Sequence, residues 1–222
     1  MSVLTRKLIA KELHVYRHFI AGGAIASIVA AAVSPLSKMA FNIGMLAWIT
    51  TVIAAGVMLA IYGVQHERKE HSLQYVMSLP ISVADYVRAK MWGLMLSFGV
   101  IWVVATAAAI LLVLLAPGVP DGLLPYAVLL CVFMLTNFTV LLAGMMQVRS
   151  EGAATAMIVV TNMGVSVYMF TIVTLPGLHL HMSGQTPVWN TTFFTVLACE
   201  LLVLVAALAL PLATASRRRD FL

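Results

Sequence analysis

The chain has 222 residues, of which 62% are hydrophobic and 9% charged, with a formal net charge of +5. A soluble domain with so few charges cannot cover its surface, so lipid is the solvent for most of this chain. The basic residues sit at the ends of apolar runs, which is a topological pattern and not a nucleic-acid patch. Cys131 and Cys199 fall inside apolar runs, which argues against a disulfide framework.

Residues 1–18 read as a basic amphipathic segment. Leu4, Leu8, Leu13 and Tyr16 approximate one helical face, with Arg6, Lys7, Lys11 and Arg17 between them. Such a helix lies in the membrane interface with its cations near the head groups. A cleaved signal peptide is the weaker reading, because the apolar run that follows is long enough to stay and five more come after it.

Six spans are expected, at about 19–36, 43–64, 91–116, 123–146, 153–175 and 191–213. Each matches the ~20 residues that cross ~30 Å of hydrocarbon at ~1.5 Å per residue. In the first span Gly22, Gly23, Ala26, Ala30 and Ala31 make a small-residue face suited to close helix packing in lipid. Pro117, Gly118, Pro120, Asp121 and Gly122 mark a tight turn before the fourth span. A loop from Pro176 to Asn190 precedes the sixth.

An even number of spans puts both termini on one side. Arg6, Lys7, Lys11, Arg17, Arg68, Lys69, Arg88, Lys90, Arg149 and Arg217 to Arg219 all fall on that side, and Lys38 alone falls on the other. The bias predicts cytoplasmic termini. No internal repeat is evident.

The longest polar interval runs from Gln65 to Lys90, between the second and third spans. Within it, Ser72 to Leu79 can form about two helical turns, with Leu73, Val76 and Met77 on one face. Pro80 ends that helix, since it lacks an N–H and disfavours helical geometry in the residue before it. Ser82 followed by Asp85 has capping-box spacing with aspartate in the acidic position, so a new helix begins there and carries Arg88 and Lys90 into the third span. No P-loop, nucleophile elbow, zinc-protease helix or Cys-x-x-Cys occurs in the sequence, so an enzyme is disfavoured and no cofactor or metal site is expected.

The run from Glu67 through Leu73, Leu79, Pro80 and Ser82, with Lys90 ten residues after the proline, resembles the ABC-2 class of ABC exporter permeases. That family has a glutamate ending the second span, a short coupling helix, a Leu-Pro-Val-Ser segment and a Gly-Lys opening the third span. Here His71 and Ser72 stand where the family often has Gly-Thr, and Ala89 stands where it often has glycine.

The resemblance implies an all-α integral membrane protein of six spans, with an interfacial N-terminal helix. It also implies a coupling helix contacting a partner ATPase through Glu67, Glu70, Leu73, Tyr75, Val76, Met77, Leu79, Pro80, Arg88 and Lys90. The implied partners are two copies of an ABC ATP-binding subunit, which bind ATP and magnesium, and a second permease copy, identical or similar. The implied setting is a bacterial inner membrane. The implied cargo is hydrophobic or amphipathic: an antibiotic, peptide or lipid-like molecule leaving through a cavity lined by the first, second and fifth spans.

Three polar residues lie inside spans. Glu200 sits near the middle of the sixth, where a carboxyl is costly unless paired, protonated or facing a wet cavity. It is a candidate cavity or interface residue, and the structural alternative is a neutral carboxyl bonded to threonines or asparagines of another span. Asn137 and Asn162 are candidates of the same kind, or interhelical hydrogen-bond glue. His179, His181 and Met182 suit a lid or re-entrant loop better than a copper site. Two rival functions remain at this level: an ion-driven secondary transporter using Glu200, and a haem-delivery or assembly subunit.

Overall fold

The computed structural model describes residues 3–67, 82–116, 118–148 and 150–215. The described residues form helices joined by short turns, with no strand among them. Helix α1 is Val3–Val15. The spans are α2 (Arg17–Val33), α3 (Lys38–Ala60), α4 (Val83–Leu115), α5 (Leu124–Gln147), α6 (Glu151–Thr174) and α8 (Thr191–Ala215), with the short α7 (Pro176–His179) before the last. Among the described residues, six helical segments are long and apolar enough to cross a membrane.

Local chemistry sets several boundaries. A 3-10 turn, Ser34–Leu36, carries Pro35 at its start and ends α2. Ser37 then caps α3, its hydroxyl accepting from the Ala40 N–H at 3.0 Å. Ser82 caps α4 by accepting from the Asp85 N–H at 3.1 Å, and its hydroxyl lies 2.8 Å from the Asp85 carboxylate. Ser150 does the same for α6 through the Ala153 N–H at 3.2 Å. Between Ile61 and His66 the last turns of α3 widen into a π-helix, a geometry that frequently marks functional positions.

Helices α4 and α5 form the centre. The α5 span is the most enclosed of the six, and α4 packs against α1, α2, α3, α5 and α8. Phe98 of α4 stacks on Phe138 of α5 with centroids 4.1 Å apart. Two indoles bridge helices by donating to backbone carbonyls: Trp48 to Ala105 at 3.0 Å and Trp102 to Cys131 at 2.7 Å. In hydrocarbon such bonds have no water to compete with. Around them Leu59, Leu94, Ile101, Leu142 and Met145 are fully enclosed.

The third span is longer than its apolar run alone suggests. At 33 residues, α4 is roughly 50 Å long, against ~30 Å of hydrocarbon. Its first turns therefore project beyond the apolar layer, where they meet α1. At the other end of the bundle the 176–190 loop is folded down. The Gly122 N–H donates to Gly184 O at 2.9 Å, and Asn190 caps α8 through the Phe193 N–H at 2.9 Å while its amide donates to Gly177 O. Leu129, Ile172, Leu178 and Phe193 form a small apolar cluster under it.

Helices α2 and α3 approach closely at Gly44. A β-carbon there would strike the Ser34 hydroxyl and lie 2.7 Å from Ala30 O. Of the small residues expected to pack, Ala30 and Ala31 are buried, while Gly22 and Ala26 face outward. Replacing Gly44 by valine should destabilise the protein by about 1–3 kcal/mol through overpacking. Thermal unfolding in detergent, followed by tryptophan fluorescence, should show a lower midpoint for Gly44→Val and a near-normal one for Gly22→Ala.

Candidate functional site

The site is built where α1, the end of α3 and the start of α4 meet. Lys90 is only 3% exposed, and its ammonium contacts two carboxylates: Glu67 at 2.7 Å and Glu12 at 2.9 Å. The Tyr86 hydroxyl, one turn before Lys90, donates to the other Glu67 oxygen at 2.9 Å. Lys11 stands 4.0 Å from Glu67 on the more exposed side. Lys90 and its two carboxylates come from three elements, so the ammonium keeps both partners only when all three are in place.

Each member is positioned by local structure. Glu67 follows the π-helical turn directly, and Gly63 within that turn lets Leu94 approach: a β-carbon there would come 2.6 Å from a Leu94 methyl. Lys90 and Tyr86 are four residues apart and share one face of α4. Glu12 is the polar centre of the inner face of α1, which otherwise buries Thr5, Leu8, Ile9, Leu13 and Tyr16 to differing degrees. Gly93 makes room for it, since a β-carbon at that position would lie 2.8 Å from the Glu12 Cγ.

A buried ammonium between two carboxylates is strongly held, although removing the charges from water is itself costly. A cavity of about 10 Å³ remains between Leu8, Lys11, Glu12, Glu67, Tyr86, Ala89 and Lys90, about the size of one water and too small for a substrate. Tyr16 closes the site toward α2. Burial first, then the nearby Glu12 and Glu67 carboxylates, hold its hydroxyl well above the ordinary phenol range. Tyr16 therefore stays neutral and adds no charge to the cluster.

The structure thus brings together two of the residues singled out in the sequence, Glu67 and Lys90, and adds three that were not: Glu12, Tyr86 and Lys11. Arg88 points elsewhere and pairs with Asp85 at 3.7 Å. Glu70, Leu73, Tyr75, Val76, Met77, Leu79 and Pro80 lie outside the described residues. The signal for Glu12 was present in the sequence: it is the one acid of the basic segment and falls at helical spacing from Leu8, Ile9 and Tyr16.

The intramembrane candidates fall at two other places. Asn137 of α5 and Asn162 of α6 line a second cavity of about 10 Å³ with Gly56, Phe98, Phe138 and neighbours. The Asn162 carbonyl oxygen is buried there without a hydrogen-bond partner among the described residues. They face a common space, and the expected hydrogen-bond glue is not made by that oxygen. Glu200 is bonded neither to a threonine nor to an asparagine through its carboxyl. Its partner is the Tyr168 hydroxyl of α6, while Thr136 reaches only the Glu200 backbone carbonyl at 3.5 Å.

These features define a class: an all-α, multi-pass membrane protein whose polar chemistry is concentrated at one end of the bundle, around the start of the third span. The chain belongs to the ABC-2 family of transporter proteins, whose family model matches residues 7–210. No curated protein and no solved structure matches it. Family members are membrane permease subunits that work with ATP-binding subunits.

The cluster makes a stability prediction. Lys90→Met leaves two enclosed carboxylates facing one another and should cost about 3–5 kcal/mol, whereas changing Glu12 and Glu67 to glutamine as well should recover much of that loss. Denaturation of the wild type and the two variants in the same detergent checks it. Equal stability of Lys90→Met and the wild type would show that the cluster is solvated and energetically idle.

Proposed function

We propose that this chain is the membrane subunit of an ATP-driven exporter. It moves a hydrophobic or amphipathic substrate, such as an antibiotic, peptide or lipid-like molecule, out of a bacterial cytoplasm. ATP and magnesium are bound by two copies of a partner ATPase, which dock on the segment between α3 and α4, and the chain works beside a second permease copy. Both termini face the cytoplasm, and the chain itself carries out no catalysis.

The observation that carries this reading is the Glu67–Lys90–Glu12 cluster. Glu67 is the last described residue before the 68–81 segment; Ser82 follows it as the cap of α4, and Tyr86 and Lys90 lie on that helix. Both ends of the segment are thereby fixed to one another and to α1. A push on the segment is delivered to a 33-residue helix that contacts most of the bundle, and packed rigid helices answer such a push by rigid-body motion. The apolar character of the α2–α4 groove, lined by Ile28, Ala31, Val104, Ala108 and Leu111 among others, suits an exporter of apolar cargo.

Tyr75→Pro should abolish substrate-stimulated ATP hydrolysis by the co-purified complex while leaving membrane insertion intact; undiminished stimulation would sink the docking assignment. Single cysteines at Gln74 and Gln185 should react with a membrane-impermeant maleimide from opposite sides of the membrane. Reaction of both from outside intact cells would overturn the topology.

A further inference from the structure

The ATP-driven reading makes no use of Glu200, yet its setting is specific. It is 6% exposed and lies nine residues into α8, roughly 14 Å along the axis from the start of the helix. One carboxyl oxygen accepts from the Tyr168 hydroxyl of α6. The other, Oε2, is buried with no hydrogen-bond partner among the described residues. Tyr168 is held in turn, its ring stacked on Phe133 of α5 with centroids 3.7 Å apart.

Among the described residues no cation stands against this acid. Helices α5, α6 and α8 contain no lysine or arginine, and the basic residues of α4 are Arg88 and Lys90 at its far end. The titratable groups on the packed elements are Tyr168 and, at the same end of the bundle, Tyr126 and His179. Cys131 lies further along α5, and Glu151 begins α6 at the opposite end. An enclosed carboxylate without a counter-charge is costly in hydrocarbon. Glu200 also lies outside both the α2–α4 groove and the Asn137–Asn162 cavity.

We infer that Glu200 is a proton-binding site, and that its occupancy fastens α6 to α8. Uptake of one proton on Oε2 turns the carboxylate into a neutral acid, while Tyr168 keeps its own proton and donates it to Oε1. Loss of that proton leaves an uncompensated anion where α6 and α8 meet over α5 through Tyr168 and Glu200, a cost relieved by admitting water or by drawing α6 away. Helices α6 and α8 are the two spans least covered by the rest of the chain, and of the two α8 is packed the more extensively on α5. The element that yields is α6. The proposal is independent of the ATPase, so its fate and that of the export reading are decided separately.

The test uses the full-length protein in lipid nanodiscs. N,N′-dicyclohexylcarbodiimide, which attacks protonated carboxyls in apolar surroundings, should modify Glu200, as located by peptide mass spectrometry. Modification should fall about tenfold per pH unit above the titration midpoint, as a single proton site requires. Spin labels at the exposed positions Val160 and Leu202 should report a longer α6–α8 distance as pH rises through the same range. Glu200→Gln, a permanently neutral mimic, should keep the short distance at every pH. A Glu200 that stays unmodified from mildly acidic to mildly alkaline pH overturns the proton site. Modification without any pH-dependent change in distance overturns the fastening role. If Glu200→Gln does not fold, the wild-type labelling and distance profiles decide the matter alone.

Discussion

Lys90 carries a full charge to a position where 3% of its side chain meets solvent, and it is stable there because Glu67 and Glu12 approach to 2.7 and 2.9 Å. Removing an ion from water costs several kcal/mol, and that cost is offset only while both carboxylates hold their geometry. Since the acids sit on different helices, the requirement falls on the arrangement of α1, the π-helical end of α3 and the first turns of α4. Tyr86 fixes Glu67, Gly93 admits Glu12 and Gly63 admits Leu94. The Tyr86 and Gly93 contacts hold the two carboxylates in place, and the Gly63 contact lets α3 and α4 pack closely beside them.

The bilayer supplies the second constraint. Spanning needs ~20 residues, and the 33 of α4 exceed it by several turns. Those extra turns follow the Ser82 cap and hold Tyr86 and Lys90, so the helix at the centre of the bundle is continuous with the one that carries the charged cluster. Within the bundle, α4 and α5 are joined by stacked phenyl rings and an indole-to-carbonyl bond. The outer spans α2, α6 and α8 are left with broad lipid-facing or partner-facing surfaces.

Much of this was legible in the sequence because the bilayer imposes strong patterns. Run length exposed the six spans, and the Ser82 to Asp85 spacing exposed the start of α4. Glu67 and Lys90 were visible as charges flanking a polar interval. Glu12 was not, because an acid amid Arg6, Lys7 and Lys11 reads as part of a solvated interfacial face until its helical phase is compared with that of Ile9 and Tyr16. Tyr168 was missed for a related reason: a tyrosine in a span is ordinary, and only three-dimensional packing sets its hydroxyl against Glu200. The residues 68–81, on which the ATPase-docking expectation chiefly rests, lie outside the described residues.

The central claim is that the cluster transmits work between the docking segment and the third span. It is tested most directly by substrate-stimulated ATP hydrolysis in the reconstituted complex with Glu67→Gln and Lys90→Met, singly and together. A shared transmission element predicts that each change uncouples stimulation from basal hydrolysis, and that the double variant is no worse than the poorer single one. Full stimulation in well-folded single variants, or independent and additive losses, would contradict it.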